Sequence, residues 1–469
     1  MIGLGAPDPL RRSLAALAVR MEPTGWRALR FLEQHQWDDP VQIEAVQREG
    51  LSTILDHAYA QVPYYHERFE KAGIVEGARV VTGRFADIPQ LTKAIIRDRY
   101  SDLLTRDLAE RRWVTNRTGG STGEPLTVAE DRESARISGG AVLRWFLGWH
   151  GVHPGERQIQ LWGSDRELFG LRQRVRDRAR QFAMGSRLLN AFCMSPERMR
   201  AYIAEINRFR PRVVRGYSTS LYEVARFAEE NGLPIRAPSL VVSSAGTLYP
   251  DMRVRIERAF GCKVFNHYGS REVHSVAMEC PAQRGLHVSS FVHVVEVLDE
   301  RGRACPPGVE GDLVVTSLTN LVMPLLRYRI GDRAIWSEER CPCGRGMPLL
   351  ASVTGRSVNC FRGRDGQLVP GEFFVHLLGV FLKDTPFAKV QIVQEDLDEL
   401  VVLAVLRPAQ ELRKQFMDEV TAHVRMAMGH GCSVRFERVS DIPTPPSGKY
   451  QYTICKLPGA AGAGKQRAG

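Results

Sequence analysis

The chain has 469 residues, 43% of them apolar and 25% charged, with a net charge of +11. That length and usage exclude a disordered, fibrous or miniature disulfide-stapled protein and leave room for about three domains with large cores. Apolar runs such as Val401 to Leu406 fall far below the ~20 residues of a membrane span.

At the N-terminus Arg11 and Arg12 precede the apolar stretch Leu14 to Val19, which Arg20 cuts short with no cleavage site following. This predicts a first amphipathic helix rather than a signal peptide, and hence a cytoplasmic protein with no membrane partner. Residues Val46 to Lys71 carry Leu51, Ile54, Leu55, Ala58 and Tyr59 at helical spacing and break at Pro63, so the first hundred residues read as a helical lead-in. From Arg112 the texture changes: Trp113 to Thr115 and Leu126 to Val128 read as strands around the loop Gly119 to Gly123. The arginines at 172, 174, 176, 178 and 180 form a basic cluster, but Asp165, Glu167 and Asp177 interrupt it and no aromatics interleave. A solvated face fits that pattern better than a nucleic-acid site.

The middle of the chain alternates. Val213 to Tyr217, Leu240 to Ser244 and Lys263 to Phe265 read as strands, with helices over Ser220 to Asn231 and Asp251 to Phe260. Strand, helix, strand at this pitch predicts a parallel sheet, with ligands gathered beyond the carboxyl ends of its strands. Ser244 to Thr247 and Asn266 to Glu272 fall there. After residue 285 the chain reads as strands at Val292 to Leu298, Gly311 to Thr316 and Arg333 to Trp336. A final α+β unit follows Arg356: a hairpin (Lys389 to Val393, Glu399 to Leu406), a helix from Ala409 to Met428 and a strand from Ser433 to Arg438. The tail segment Gly459 to Lys465 fits G-x-x-x-x-G-K, yet Gln466 replaces the required Ser or Thr and no helix can follow, so it is not a phosphate loop.

Five segments carry chemistry. Thr118-Gly119-Gly120-Ser121-Thr122-Gly123 combines glycines that bring backbone N–H groups near an anion with hydroxyl donors. In Tyr268-Gly269-Ser270-Arg271-Glu272 the tyrosine can stack on a purine and the glutamate can bind Mg²⁺. Tyr328 to Asp332 places a carboxylate past a turn, where ribose hydroxyls can donate to it. Gly355-Arg356 marks a boundary, and Pro445-Pro446-Ser447-Gly448-Lys449 presents a lysine on a restricted loop.

In this order the five segments resemble the adenylate-forming enzymes, from about residue 45 to 456. Tyr268-Gly-Ser-Arg-Glu-Val, Cys341-Pro-Cys-Gly-Arg-Gly and Pro370-Gly-Glu-Phe-Phe narrow the resemblance to the phenylacetate–coenzyme A ligase branch and its CapK-like subgroup. The resemblance implies an α/β adenylate-forming fold. A large N-terminal domain (1–355) of βαβ sheets with a β-rich part would precede a small mobile α+β C-terminal domain (356–456) and a flexible tail (457–469). It implies that Thr118 to Gly123 grip the ATP phosphates, that Ala245, Gly246, Tyr268 and Gly269 line the adenine slot, and that Glu272 holds Mg²⁺. Asp332 would bind the ribose, Arg356 the ribose or phosphate near the hinge, and Lys449 would be the catalytic lysine. The implied reaction activates a carboxylic acid to an acyl-adenylate and passes the acyl group to coenzyme A, or to an amine, hydroxyl or carrier protein in a polysaccharide or natural-product pathway. The chain departs from the branch at Gly246-Thr247-Leu248, where Glu-Pro is common, and at Ser357-Val358-Asn359, where Ser-Asp-Asp is common.

Nine cysteines, an odd number without a framework, read as reduced thiols or ligands. Cys280, His287, Cys341 and Cys343 make a candidate structural Zn²⁺ shell with His274 in reserve; the alternative is four unrelated reduced side chains. Family position implies an acid pocket near Trp145 to Trp149, Tyr217 to Ser220 and His267. Trp145, Phe146, Trp149 and Tyr217 there form either a flat slot for an aryl or arylacetic acid or plain core packing. The protein is expected to act as a monomer or homodimer.

Overall fold

A computed structural model describes residues 8–77, 79–118, 126–163, 185–192, 194–354, 360–364, 366, 368–378, 386–442 and 452–457. The chain divides into two compact units, Met1–Arg117, Leu126–Gly155 and Phe265–Gly355 in the first, and Thr118–Pro125, Glu156–Val264 and Arg356–Gly469 in the second. Among the described residues no helix is long and apolar enough to cross a membrane.

The first unit opens with helices Asp8–Arg20, Pro23–His35, Pro40–Gln61 and Pro63–Ala72. The third starts where Asp39 and Gln42 form a reciprocal capping box with Pro40 in the first turn, which satisfies two otherwise orphaned backbone donors. Its break falls at Pro63, as the spacing predicts, with Val62 ending one helix and opening the next. Their apolar faces bury Leu55, Ala58 and Phe69 against an antiparallel sheet whose inward residues include Val276, Leu313, Val315 and Leu350. That sheet runs, in spatial order, His293–Leu298, Glu310–Ser317, Tyr328–Trp336, Leu349–Thr354, Leu286–Val288, His274–Glu279 and Val264–Ser270. Trp113–Thr118 and Leu126–Asp131 form a separate two-stranded sheet.

The second unit holds four parallel strands in the order Leu240–Ser244, Val213–Tyr217, Gln158–Trp162, Ser186–Asn190. Helices Pro196–Phe209, Ser218–Glu230 and Pro250–Phe260 connect or follow them. The inner strands Val213–Tyr217 and Leu240–Ser244 are almost wholly buried, as a sheet covered by crossover helices requires, while Gln158–Trp162 and the edge strand Ser186–Asn190 are only partly so. The unit's second sheet orders Ser433–Arg438, Glu399–Leu406, Phe387–Asp396 and Thr453–Cys455. One apolar cluster joins Ile159, Val214 and Leu221 to Phe361, Phe374, Val402 and Val424, so the C-terminal residues share a core with the parallel strands here.

Three sequence expectations need correction. The strand expected over Lys263 to Phe265 runs as Val264–Ser270. Tyr268 and Gly269 therefore lie inside a strand, paired antiparallel with His274–Glu279, and only Arg271 to Val273 form the turn. Asp332 lies within the strand Tyr328–Trp336 rather than past a turn; Gly331 absorbs the local irregularity at φ +95°. The helix expected from Ala409 begins at Lys414, because Ala409 adopts φ +60° and Pro408 precedes it. Neither residue continues a right-handed helix.

Candidate active site

Strand pairing within the first unit positions three of the motif side chains. The Tyr268 hydroxyl donates to Asp332 Oδ2 at 2.6 Å, joining the aromatic and the carboxylate proposed for one nucleotide. Glu272 is buried at the tip of the adjoining turn, where its Oε1 accepts from the Tyr328 hydroxyl at 3.2 Å. Its other oxygen accepts no hydrogen bond from the described residues, which leaves one lone-pair face for a cation and fits a Mg²⁺ ligand. Ser270 Oγ accepts from the backbone N–H groups of Glu272 and Val273 at 3.2 and 3.3 Å, shaping that turn. Gly269 is required: a Cβ there would lie 2.2 Å from the His274 carbonyl oxygen.

In the second unit Ala245 and Gly246 follow the buried strand Leu240–Ser244. Ala245 sits at φ +58°, an uncommon conformation for a residue with a side chain. Ser218, at the start of the helix Ser218–Glu230, donates to the Gly246 carbonyl at 2.9 Å and lies 2.6 Å from Ser243 Oγ. Ser218 and Tyr328 fall inside segments the sequence singles out, Tyr217 to Ser220 and Tyr328 to Asp332, but each stands beside a motif side chain or turn only through the fold. Gly119, Gly120, Ser121, Thr122, Gly123, Arg356 and Lys449 lie outside the described residues, as do the 172–180 arginines and the tail. Thr118 ends the strand Trp113–Thr118.

The four candidate zinc ligands converge. The ligand atoms of Cys280, His287, Cys341 and Cys343 all lie within 4.8 Å of one another. Cys280 Sγ is 3.5 Å from Cys341 Sγ, and Cys343 Sγ is 3.3 Å from His287 Nε2. A tetrahedral zinc with bonds of 2.0 to 2.3 Å places its ligand atoms about 3.5 to 3.8 Å apart, so the set fits this metal. His287 Nδ1 lies 3.3 Å from the Met347 carbonyl, which directs Nε2 at the thiols. Burial pushes the Cys280 thiol up to about 12 and the His287 imidazole down to about 4. Cys343 is also penalised by burial, but hydrogen bonds from Arg345 and the neighbouring cysteines leave its thiol below the usual range. His274 is not part of this cluster; its Nε2 contacts Glu130 Oε1 instead.

The aromatic candidates separate. Trp145, Phe146 and Trp149 are buried, with Trp145 and Trp149 edge-on at 4.8 Å and Phe146 6.1 Å from His267. Trp145 stacks on Phe146 and both meet Trp149 edge-on, so the three form a packed cluster and not a flat slot. Tyr217 lies in the other unit, where Trp162 tilts against it at 4.3 Å. Trp149 also meets His287 edge-on at 5.6 Å, and the Arg345 guanidinium lies between Trp37 and Trp149 at 4.4 and 4.6 Å.

Residues 362–456 match the family model of the CapK C-terminal domain. The chain is 26% identical to Protein CapK of Staphylococcus aureus over 87% of its own length and 88% of that protein's. Against the phenylacetate-coenzyme A ligase of Thermus thermophilus it is 27% identical, over 72% of the chain and 76% of the relative. The chain is thus similar to the adenylate-forming enzymes, in the branch of CapK and the phenylacetate–coenzyme A ligases. The adenylate-forming fold is also that of a 2-hydroxyisobutyryl-CoA ligase crystallised with 2-HIB-AMP and CoA. That likeness has a TM-score of 0.61 at 18% identity and covers 90% of this chain and 92% of the other.

Proposed function

We propose that this protein is an AMP-forming acid–thiol ligase that activates a carboxylic acid with ATP and transfers the acyl group to coenzyme A. The observation that carries the reading is that one antiparallel strand pair and its turn bear Tyr268 and Glu272, while the Tyr268 hydroxyl donates to Asp332 on the strand Tyr328–Trp336. A base-stacking ring, a ribose acceptor and a cation ligand are the three contacts a Mg²⁺-nucleotide needs.

A carboxylate is a poor acyl donor because its leaving group would be an oxide. In the first step a carboxylate oxygen attacks the α-phosphorus of ATP, the acyl–phosphate bond forms, and the bond to pyrophosphate breaks. Negative charge shifts toward the departing pyrophosphate, so positioning and cations do most of the catalysis. Lys449 supplies one cation, the loop Thr118 to Gly123 orients the pyrophosphate, Ala245, Gly246, Tyr268 and Gly269 hold the adenine, and Asp332 and Arg356 fix the ribose. Mg²⁺ held by Glu272 supplies Lewis-acid stabilisation of the phosphate oxygens. In the second step the thiol sulfur attacks the acyl carbon and AMP leaves, after the C-terminal domain (356–456) has turned about the boundary at 355.

The acid is aryl or arylacetic. The similarity to the phenylacetate-coenzyme A ligase of Thermus thermophilus supports this class of acid. Zn²⁺ on Cys280, His287, Cys341 and Cys343 is structural, as a closed Cys₃His shell has no open position for chemistry. Mass spectrometry of products from ATP, coenzyme A and an acid panel tests the reading. An acyl-adenylate followed by a thioester supports it. An adenylate consumed only by an amine, hydroxyl or carrier protein would replace coenzyme A as acceptor.

A further inference from the structure

The turn that bears Glu272 is tied at both ends to the two-stranded sheet that flanks the Gly-rich segment in sequence. Asn116, on Trp113–Thr118, donates its amide to the Arg271 carbonyl at 2.9 Å and to Glu130 Oε2 at 3.3 Å. Glu130, on Leu126–Asp131, is 6% exposed, and its other oxygen contacts His274 Nε2. His274 closes the turn at φ +59°. On the other side of its ring, a Cβ at Gly139 would lie 3.0 Å from its Nδ1, so the imidazole is seated against bare backbone.

Each feature has a cost that packing alone does not explain. A left-handed residue with a large side chain is strained by about 1–2 kcal/mol. A nearly buried carboxylate is unfavourable unless hydrogen-bonded and paired. Both costs meet at one turn of three residues, and that turn's only buried carboxylate is Glu272. Strain that persists this way requires surroundings that over-determine it.

The geometry assigns Asn116, Glu130 and His274 as positioning residues for Glu272. Together they clamp the turn so that the carboxylate meets a Mg²⁺-nucleotide without reorganising. The role is geometric and moves no proton. It rests on Glu272 being the cation ligand of the function proposed above.

Mn²⁺ binding in the presence of a non-hydrolysable ATP analogue, read by the EPR signal of free Mn²⁺, tests it without turnover. His274→Gly keeps the left-handed backbone while removing the tie, so it should fold and melt near the parent. The expected result is an affinity for Mn²⁺ about 10-fold weaker or more, the usual effect of losing an outer-sphere partner. Glu130→Ala should behave alike, whereas Glu130→Gln, which keeps an acceptor for His274, should recover to within about threefold. In exchange assays the same variants should raise the Mg²⁺ requirement more than they lower the saturated rate. A folded His274→Gly protein that binds Mn²⁺ like the parent overturns the inference. If Glu272→Gln also binds like the parent, the cation assignment itself fails; if Glu272→Gln alone weakens binding, only the clamp fails.

Discussion

The Tyr268 hydroxyl and the Asp332 carboxylate share a 2.6 Å hydrogen bond, although 64 residues separate them in sequence. Tyr268 occupies Oδ2 and so orients the carboxylate from one side. A ribose bound by Asp332 must use the remaining lone pairs or displace the phenol.

Tyr268→Phe keeps the ring but frees Asp332 to rotate. The KM for ATP should rise about tenfold with little change in kcat, because a hydrogen bond to a charged group contributes about 1.5 kcal/mol or more. Steady-state kinetics with ATP varied will show it; an unchanged KM would mean that the nucleotide breaks this bond on binding.

Lys449→Ala should lower adenylate formation roughly 10²–10³-fold while leaving ATP binding within a few-fold, since the cation acts where charge develops. Thioester formation from a supplied acyl-adenylate should survive. Exchange at the parental rate would remove Lys449 from the first step.

Gly269→Ala should cost about 1–3 kcal/mol of stability, the range for forced overpacking. Its new methyl would lie 2.2 Å from the His274 carbonyl, and backbone cannot swing aside as a side-chain tip can. Denaturant unfolding gives the direct comparison, and a variant as stable as the parent would contradict the tight strand pairing.

Acid should destabilise the fold through buried histidines. His293 is fully buried, hydrogen-bonded to Ser289 Oγ at 2.7 Å and to the Val273 carbonyl at 2.9 Å. Burial pushes its pKa from 6.5 down to about 4. Below pH 6.5 the unfolded imidazole takes a proton that the folded one refuses, so stability falls with pH until about 4, where the folded form also titrates. Each such histidine contributes at most about 1.4 kcal/mol per pH unit in that window. Urea midpoints between pH 7 and 5 should drop in the parent and drop less in His293→Gln.

Protein purified without a polyhistidine tag should carry about one zinc per chain, because four ligands close one tetrahedral shell. Cys343→Ser should lose metal and thermal stability together. Metal well below one equivalent, with an unchanged melting temperature in the variant, would leave four reduced side chains.

Much of the fold is legible along the chain because its elements keep local rules. The parallel strands Val213–Tyr217 and Leu240–Ser244 read as apolar runs, and Pro63 breaks a helix wherever it stands. The convergence of Cys280, His287, Cys341 and Cys343 is foreshadowed by residue type, although 61 residues separate Cys280 from Cys341. Tyr268 and Asp332 look like loop residues in sequence because glycine follows one and precedes the other, yet both glycines sit within strands. Asn116 and Glu130 leave no local signal at all. Their roles arise from strand register, and an asparagine or glutamate in an isolated strand looks like any other. His274 is a further case: its residue type favours a metal, yet it meets Glu130 instead.

The central claim is that this chain makes an acyl-adenylate, and acid-dependent exchange of labelled pyrophosphate into ATP measures that step alone. The account predicts exchange that requires Mg²⁺ and an aryl or arylacetic acid, proceeds without coenzyme A, and collapses in Lys449→Ala. Folded, nucleotide-binding protein that shows no exchange with any acid in a broad panel would contradict it.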